Sequence, residues 1–368
     1  MPLLTTDAPK AIAMWDFSWL ERRWEGGGYD DWARALDELV ERGYDAVRID
    51  AFPHLVAADP DAEYTLVPVW DQHDWGSPAE VVVRIRPALT EFIALAAERN
   101  VAVALSSWFR KDTRDVRMQL TTPDELAGAW ASTLDLIDEA GLLGSVWFVD
   151  LGNEWPNAMW APFLYPYAGG ADARVEPRTS PRIEQWTQRA LHSLQDRYPA
   201  MPLCFSFSEY DFPATEDVLG FGLLEPHAWM AQEEFSGFYA EAGYALTDSL
   251  FDPEPYAVLA RTAGPLYAAD PDRWRQLLTA KIAGLADWSR ATGLPLVTTE
   301  CWAIINWKDG PGLEWGWLKE VCEHGVRAAI ATGQWVGLAT SNFCGPQFRG
   351  MWGDVAWHRA LTDQIKGS

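Results

Sequence analysis

A short unit recurs along the 368-residue sequence and restricts the fold more than any other feature. Each unit contains an apolar strand, a polar loop, an amphipathic helix and a glycine that precedes the next strand. The eight strand segments span residues 11–17, 44–51, 101–108, 145–152, 202–208, 220–229, 295–302 and 335–343. They are short and almost continuously apolar, which is typical of parallel strands covered on both faces. The pattern predicts an α/β fold of the (β/α)8, or TIM-barrel, type.

Capping residues mark the boundaries of the predicted helices. Four start signals consist of an N-cap residue directly before a proline: Ser77, Thr122, Ser180 and Asp270. Glu80 and Glu125 lie three residues after the first two of these caps and complete capping boxes. Four glycines follow helical stretches and precede strands: Gly43, Gly141, Gly293 and Gly333. We therefore expect a helix to begin at each of the four caps and a helix to end at each of the four glycines.

No linker divides the sequence, although its length would suit either two domains or one large barrel. Barrels of this type take about 250 residues, so roughly a hundred remain for insertions. Two stretches, about 155–180 and 230–270, follow the fourth and sixth strands and are rich in aromatic residues. They carry Trp155, Trp160, Tyr165, Tyr167, Phe235, Phe238, Tyr239, Tyr244 and Tyr256. We expect residues 1–368 to form a single barrel domain; a doubly wound open sheet is the alternative, but the first strand lacks a Gly-rich phosphate loop.

The net charge of −24 argues against several classes of partner. An acidic surface repels phosphate backbones and anionic lipids, so we expect neither a nucleic-acid nor a membrane partner.

No apolar run reaches the roughly 20 residues that span a bilayer, and the N-terminus lacks a secretory pattern. We expect a cytoplasmic protein, or a secreted one if a leader was removed. The four cysteines and six histidines lack ligand spacing, and we predict no metal, no cofactor and no disulfide scaffold.

Two glutamates stand at the ends of apolar strands and indicate the chemistry. Glu154 follows the fourth strand in VWFVDLGNEWP (146–156), and Glu300 ends the seventh in LVTTECW (296–302). The carboxyl ends of barrel strands face one mouth, and a charge there requires partners or a function. A single strand-end glutamate is more often a helix cap or an ion-pair partner. Two that converge are typical of glycoside hydrolysis, and 22 tryptophans favour a site that stacks on sugar rings.

With these motifs the sequence resembles clan A of the glycoside hydrolases, specifically the cellulase-like branch, a retaining (β/α)8 family. The resemblance implies that Glu154 is the acid/base, that Glu300 is the nucleophile and that Asn153 binds the sugar 2-hydroxyl. Arg48 in VRIDAFP matches the clan's second-strand arginine, which steadies the charge of the nucleophile. His227 in EPHAW matches its sixth-strand histidine. The implied substrate partner is a small saccharide or glycoside.

The sequence departs from the clan at three strand ends. The usual strand-three histidine is absent from VALSSWF (103–109), and Trp229 stands where a tyrosine often hydrogen-bonds the nucleophile. The eighth strand does not end in the customary tryptophan, for which Trp335 or Trp352 could substitute. A sugar-binding protein that has lost turnover is therefore the alternative function. A barrel lyase or aldolase ranks last, because the lysines mostly avoid strand ends.

Further strand-end side chains are candidates for the sugar pocket. We assign Trp15, Asp16, Trp108, Trp155, Trp229, Trp302 and Asn342 to substrate binding. Asp50, Glu209 and Glu225 are additional strand-end carboxylates, which more often cap helices or pair with arginines. Glu209 is the reserve if Glu154 or Glu300 proves misplaced.

The expected mechanism requires different environments for the two glutamates. Arg48 should lower the pKa of Glu300 and keep it ionised, whereas the charge of Glu300 and apolar indole walls should raise the pKa of Glu154. Because a cytoplasmic enzyme meets small saccharides, and because the two insertions could close one end of the cleft, we expect exo-attack on short β-linked glycosides.

Overall fold

A curved parallel sheet surrounded by helices forms the framework of the computed structural model, which describes residues 2–69, 74–166, 176–208, 216–231, 237–244, 253–310 and 312–367. The strands are β1 Lys10–Asp16, β2 Ala46–Asp50, β3 Tyr64–Leu66, β4 Val81–Val83, β5 Ala102–Ser106, β6 Val146–Asp150, β7 Leu203–Cys204, β8 Phe207–Ser208, β9 Pro226–Trp229, β10 Leu296–Thr298, β11 Cys301–Trp302 and β12 Trp335–Leu338. Seven of them form one parallel sheet in the order β10-β12-β1-β2-β5-β6-β7.

Two interrupted strands complete the ring. Residues 205–206 separate β7 from β8, and residues 299–300 separate β10 from β11. The second halves pair with the sixth barrel strand in the order β11-β9-β8, and a parallel bridge joins Leu224 to Leu296. Each of the eight predicted strand segments therefore contains strand structure, and the (β/α)8 fold that the sequence predicts is confirmed.

The helices cover the outside of the sheet, and their starts follow the capping signals in three of four cases. They are α1 Ser18–Glu21, α2 Trp32–Glu41, α3 Pro53–Ala58, α4 Ile85–Glu98, α5 Pro123–Glu139, α6 Pro181–Arg197, α7 Phe238–Glu241, α8 Pro253–Ala269, α9 Pro271–Thr292, α10 Gly316–Thr332, α11 Arg349–Trp352 and α12 Val355–Lys366. Thr122, Ser180 and Asp270 each accept a backbone N–H of the first turn, and Thr122 with Glu125 forms the predicted capping box. All four predicted stop glycines have positive φ.

The prediction of a helix that begins at Ser77 is wrong. Residues 81–83 instead form β4, which pairs antiparallel with β3, and the helix α4 begins only at Ile85. Three consecutive valines stand where the predicted first turns would be. Their β-branched side chains lose rotamer freedom in a helix and suit a strand, so β3 and β4 pair as a hairpin. Glu80 therefore does not form the predicted capping box.

The two aromatic-rich stretches contain helical segments where they are described. Residues 155–166 include the 3-10 turn Pro162–Leu164, and residues 237–270 include α7 and α8. Tyr167 and Phe235 lie outside the described residues. Among the described residues, no helix combines the length and apolar character needed to cross a bilayer.

The capping box of α5 provides a test of this local structure. Substitution of Thr122→Ala removes the acceptor of the Glu125 N–H, and we expect the free energy of unfolding to fall by about 1 kcal/mol. Urea denaturation followed by circular dichroism measures this change. Ser132→Ala in the middle of the same helix is the control, since its hydroxyl only contacts the helix carbonyl of Gly128 and alanine favours helix. Equal stability of the Thr122→Ala variant and the wild type would contradict the assignment.

Candidate active site

The side chains of Glu154 and Glu300 meet at the mouth of the barrel. One carboxylate oxygen of each, together with a ring nitrogen of His227, lies within 4.8 Å of the other two atoms. The side chains of Glu154 and Glu300 retain exposed fractions of 16% and 11%, whereas His227 is fully buried. The two predicted carboxylates therefore face one solvent-accessible cleft, with the imidazole beneath them.

The backbone after β6 brings two consecutive side chains into this cluster. In a regular strand Asn153 and Glu154 would point to opposite faces. Glu154 instead has φ 47°, in the left-handed region that non-glycine residues rarely adopt. Its backbone N–H donates to the Ser206 hydroxyl at 3.0 Å, and the next N–H, of Trp155, donates to the Ser206 carbonyl at 2.9 Å. Strain of this kind persists where the surrounding contacts hold it, and it concentrates at functional sites.

The break between β10 and β11 has the same effect on the opposite side of the cluster. Thr299 and Glu300 occupy the break, and both contact the Arg48 guanidinium at 3.2 Å. Asn342 holds the backbone beyond the break, because its side-chain oxygen accepts the Cys301 N–H at 3.0 Å and its own N–H donates to the Cys301 carbonyl. Interruption of the pleat thus lets Thr299 and Glu300 both face the interior.

Arg48 connects the strands beneath the carboxylates. Its side chain is fully buried and rises from β2 across the interior of the barrel. One terminal nitrogen lies 2.5 Å from Asp150 and 2.8 Å from the Asn153 side-chain oxygen, and the other contacts Glu300. Burial alone would raise the pKa of Asp150, but the charge of Arg48 and a hydrogen bond from Ser106 lower it. A charge this deep is tolerated only when it is paired and hydrogen-bonded.

Four of the residues assigned to substrate binding have a buried polar atom without a hydrogen-bond partner among the described residues. Within the described part of the chain, no hydrogen-bond partner is present for Asn153 Nδ2, Asn342 Nδ2, Asp16 Oδ2 or Trp229 Nε1, all of them buried. Buried polar groups are normally paired, so an unpaired group requires an explanation. Burial also raises the pKa of Asp16 to about 7. Two amide groups, one indole N–H and the Asp16 carboxyl at strand ends thus lack a partner within the described part of the chain.

Two of the five assigned tryptophans contact members of the cluster. The Arg48 guanidinium lies over the Trp108 ring, 4.7 Å from its centroid. Trp229 meets the His227 ring edge-on at 5.8 Å. Both indoles help to exclude water from the base of the cleft.

The other three assigned tryptophans lie in the barrel wall rather than in the pocket. The indole N–H groups of Trp15 and Trp302 donate to backbone carbonyls that follow β12. That of Trp155 donates to the Thr187 hydroxyl on α6, and its ring packs on Phe205 at 4.7 Å. On β1 successive residues face opposite sides, so Trp15, the neighbour of Asp16, points toward the helices.

The charges of the cluster arrange its protons differently from the expectation. Burial raises the pKa of Glu300 to about 7; the charge of Glu154 adds to this effect, while His227 and Arg48 oppose it. Burial would also raise the pKa of Glu154, but the hydrogen bond and charge of His227, and a hydrogen bond from Trp160, lower it. The two carboxyl groups therefore ionise as a linked pair, and the directions of the two shifts favour a proton on Glu300 over one on Glu154 in the free protein.

Several members of the site were not predicted from the sequence. The Trp160 indole N–H donates to Glu154 Oε2 at 3.1 Å, a contact that depends on the path of the loop and has no local signal. Ser206 accepts the backbone N–H of Glu154. Asp150 accepts a hydrogen bond from Arg48. Asp150 had a signal, since it is the one acid within the apolar run VWFVD. Glu225, which had been grouped with the minor candidates, is fully buried against His227 and Arg48.

The strand-end candidate Asp50 does not join the cluster. The Asp50 carboxylate accepts the backbone N–H groups of Phe52 and Trp108 and caps the turn after β2. Glu209 lies outside the described residues. The four cysteines are buried and free.

Glu154, His227 and Glu300 also have the spacing of metal ligands. Two features of the site oppose a cation. The Arg48 guanidinium lies 3.2 Å from Glu300, and the negative charges around His227 raise its pKa to about 10 although burial alone would lower it. A metal would have to displace that proton, so we assign no metal ligand.

Comparison with known proteins identifies the family. Residues 12–366 match the model of the cellulase-like family, described as sugar-binding cellulase-like. A search of curated proteins finds no match. A protein from Parabacteroides distasonis ATCC 8503, described as a "putative glycoside hydrolase", is 45% identical with a TM-score of 0.92, over 98% of this chain and 94% of that one.

More distant structures share the fold alone. A GH5_18 protein from Streptomyces cattleya in complex with GlcNAc is 13% identical with a TM-score of 0.51, over 91% of this chain and 70% of that one. The exo-β-1,4-mannosidase Op5Man5 from Opitutaceae bacterium strain TAV5 is 13% identical with a TM-score of 0.50, over 97% of this chain and 60% of that one. With the family model covering nearly the whole sequence, the chain belongs to the sugar-binding cellulase-like family.

Proposed function

We propose that the protein is a retaining glycoside hydrolase that removes sugars from short β-linked glycosides. The observation that carries the proposal is the approach of the Glu154 and Glu300 carboxylates to within 4.8 Å. Retaining enzymes hold their two carboxyl groups about 5–5.5 Å apart, whereas inverting enzymes leave roughly 6.5–9.5 Å for a water molecule. The spacing here leaves room for one anomeric carbon between the two groups.

In this proposal the two glutamates act in sequence. Glu300 attacks the anomeric carbon while Glu154 donates a proton to the departing oxygen, and a covalent glycosyl-enzyme forms. Glu154 then takes a proton from water, which releases the sugar with its original configuration. Asn153 supports the first step, because its side-chain oxygen is held by Arg48 and its free N–H is available to the sugar 2-hydroxyl.

The shared proton has to move from Glu300 to Glu154 when substrate binds. A glycosidic oxygen beside Glu154 accepts a hydrogen bond only from the protonated carboxyl, and such a bond favours the neutral form. Arg48 at 3.2 Å stabilises the charge that then remains on Glu300. The cluster therefore needs only a redistribution of its single proton to reach the reactive state.

Contacts among the loops support exo-action. The Tyr239 hydroxyl in the insertion after β9 accepts the Ile305 N–H at 3.1 Å, and Asn306 hydrogen-bonds Tyr244. Asp309 further along the same segment accepts the Gly350 N–H and donates its own N–H to Asp74. The segment after β11 is thus hydrogen-bonded to three other segments. Together these segments would close one side of the cleft and leave room for a terminal sugar.

Carboxylate substitution tests the assigned roles. We expect Glu300→Gln to abolish turnover, and Glu154→Gln to lower kcat/KM on alkyl glycosides by about 10²–10⁴-fold. The assay is a panel of nitrophenyl and alkyl β-glycosides of glucose, galactose, mannose, xylose, arabinose and fucose. Asp124→Asn, which breaks an exposed ion pair with Arg189, is the control and should retain activity. If the wild type binds a sugar of the panel but hydrolyses none, the protein is the non-catalytic sugar binder instead.

The stereochemistry of the first product tests retention separately. Proton NMR of the reaction on a substrate from the panel should show the β-anomer first, followed by slow mutarotation, since two displacements restore the configuration. Initial release of the α-anomer would mean that water attacks directly and would contradict the role of Glu300 as nucleophile.

The proton shared by the pair predicts the pH dependence. The reactive form carries one proton on the pair, so kcat/KM should fall as pH rises through the pKa of about 7 at which that proton is lost. On the acidic side it should fall only below pH 4.5, since the pKa of Glu154 is lowered from that ordinary value. A pH profile at constant ionic strength measures both limbs. A basic limb below pH 5 would show that the carboxyl groups do not share the proton.

A further inference from the structure

Glu225 is a buried carboxylate that neither step of the proposed reaction uses. It immediately precedes β9, has no exposed surface and lies two residues before His227, so both side chains face the barrel interior. Its Oε1 accepts the Thr299 hydroxyl and lies 3.5 Å from His227 Nε2. Its Oε2 lies 3.5 Å from the Arg48 guanidinium and has no hydrogen-bond partner among the described residues. Glu225 therefore sits behind Arg48 and His227, the two residues that contact Glu300.

Both ring nitrogens of His227 face carboxylate oxygens. Nδ1 lies 3.2 Å from Glu154 and 3.6 Å from Glu300, and Nε2 lies 3.5 Å from Glu225. A neutral imidazole has one donor nitrogen and one acceptor nitrogen, whereas the imidazolium has two donors. In the neutral form one nitrogen would bring its lone pair close to a carboxylate, which is repulsive, so this geometry favours the imidazolium; at Nε2, which makes no hydrogen bond among the described residues, the effect comes from the nearby charge of Glu225.

The other charged groups near His227 do not supply the same effect. Arg48 is a cation, and like charge opposes protonation of the ring. Lys281 on α9 reaches the same strand, but its ammonium donates to the Trp229 carbonyl. Glu154 and Glu300 share a proton during the proposed reaction, so their charges change. Glu225 is the carboxylate in contact with His227 that the reaction leaves unchanged.

We propose that Glu225 is a positioning residue that keeps His227 doubly protonated, so that the imidazolium holds a constant positive charge between Glu154 and Glu300. Glu225 cannot reach a substrate, because it is completely buried, and it acts through His227. The proposed effect on turnover rests on the glycosidase function above; the protonation of His227 does not depend on it.

A constant charge on His227 has a direct consequence for the carboxyl pair. Burial and mutual repulsion favour protonation of both carboxyl groups, and the imidazolium opposes this effect. If His227 became neutral, the pKa values of the pair would rise and a smaller fraction of Glu300 would be ionised for attack. Loss of Glu225 should therefore lower kcat while leaving KM almost unchanged.

The protonation of His227 can be measured without a substrate. The full-length protein is labelled with 15N-histidine, and the His227 resonances are assigned by comparison with His227→Asn. We expect wild-type His227 to remain doubly protonated from pH 5 to pH 9. In Glu225→Gln, which keeps the shape but removes the charge, His227 should lose a proton within that range. Glu225→Asp retains the charge and should restore the wild-type behaviour at least in part.

Two NMR results would overturn the proposal. One is a neutral His227 in the wild type at pH 7, which needs no Glu225 variant and so does not depend on the folding of Glu225→Gln. The other is an unchanged titration of His227 in Glu225→Gln.

The kinetic test uses the best substrate of the glycoside panel. Glu225→Gln should lower kcat at least tenfold with KM within twofold of wild type, and Glu225→Asp should recover part of the loss. A tenfold rise in KM with unchanged kcat would contradict a role through His227. Absence of hydrolysis by the wild type would refute the glycosidase function instead, while the NMR titration would still decide the role of Glu225.

Discussion

The buried guanidinium of Arg48 is the interaction on which the site depends. It contacts polar groups at the ends of the third, fourth, fifth and seventh barrel strands, including Asp150, Asn153 and Glu300. The desolvation free energy of a buried ion is several kcal/mol, and ion pairs and hydrogen bonds offset it only if every partner is in place. The strand ends are thus held in one arrangement, since displacement of any of them would leave a buried charge without its partner.

The site contains four carboxyl groups but only two basic side chains, Arg48 and His227. Because the negative charges outnumber the positive ones, one carboxyl group keeps a proton. Asp150 contacts Arg48, and Glu225 contacts both Arg48 and His227. The remaining positive charge is too small to keep both Glu154 and Glu300 ionised. Because the groups are close and poorly solvated, their ionisation is linked and belongs to the cluster rather than to single residues. In the function proposed above, a small shift of one proton from Glu300 to Glu154 is enough to reach the reactive arrangement.

Local sequence signals predicted most of the framework. The eight apolar strands, the caps at Thr122, Ser180 and Asp270, and the mouth positions of Glu154 and Glu300 follow from periodicity and strand ends. The prediction of a helix that begins at Ser77 is wrong because the valines of β4 pair with β3 instead. The assignment of Trp15, Trp155 and Trp302 to the pocket did not foresee that their indoles donate to Cys344, Thr187 and Ala339. In each case the deciding contact joins segments that are far apart in the sequence.

The sequence by itself determined the barrel and the residues that stand at the ends of its strands, because a strand buried on both faces leaves a local apolar pattern. Only the tertiary structure decided the charges at the mouth. The hydrogen bonds of His227 and Trp160 to Glu154, and the burial of Glu300, determine which carboxyl group holds the proton. These effects depend on distances of a few ångströms between remote segments and on exclusion of water, which no local pattern of residues records.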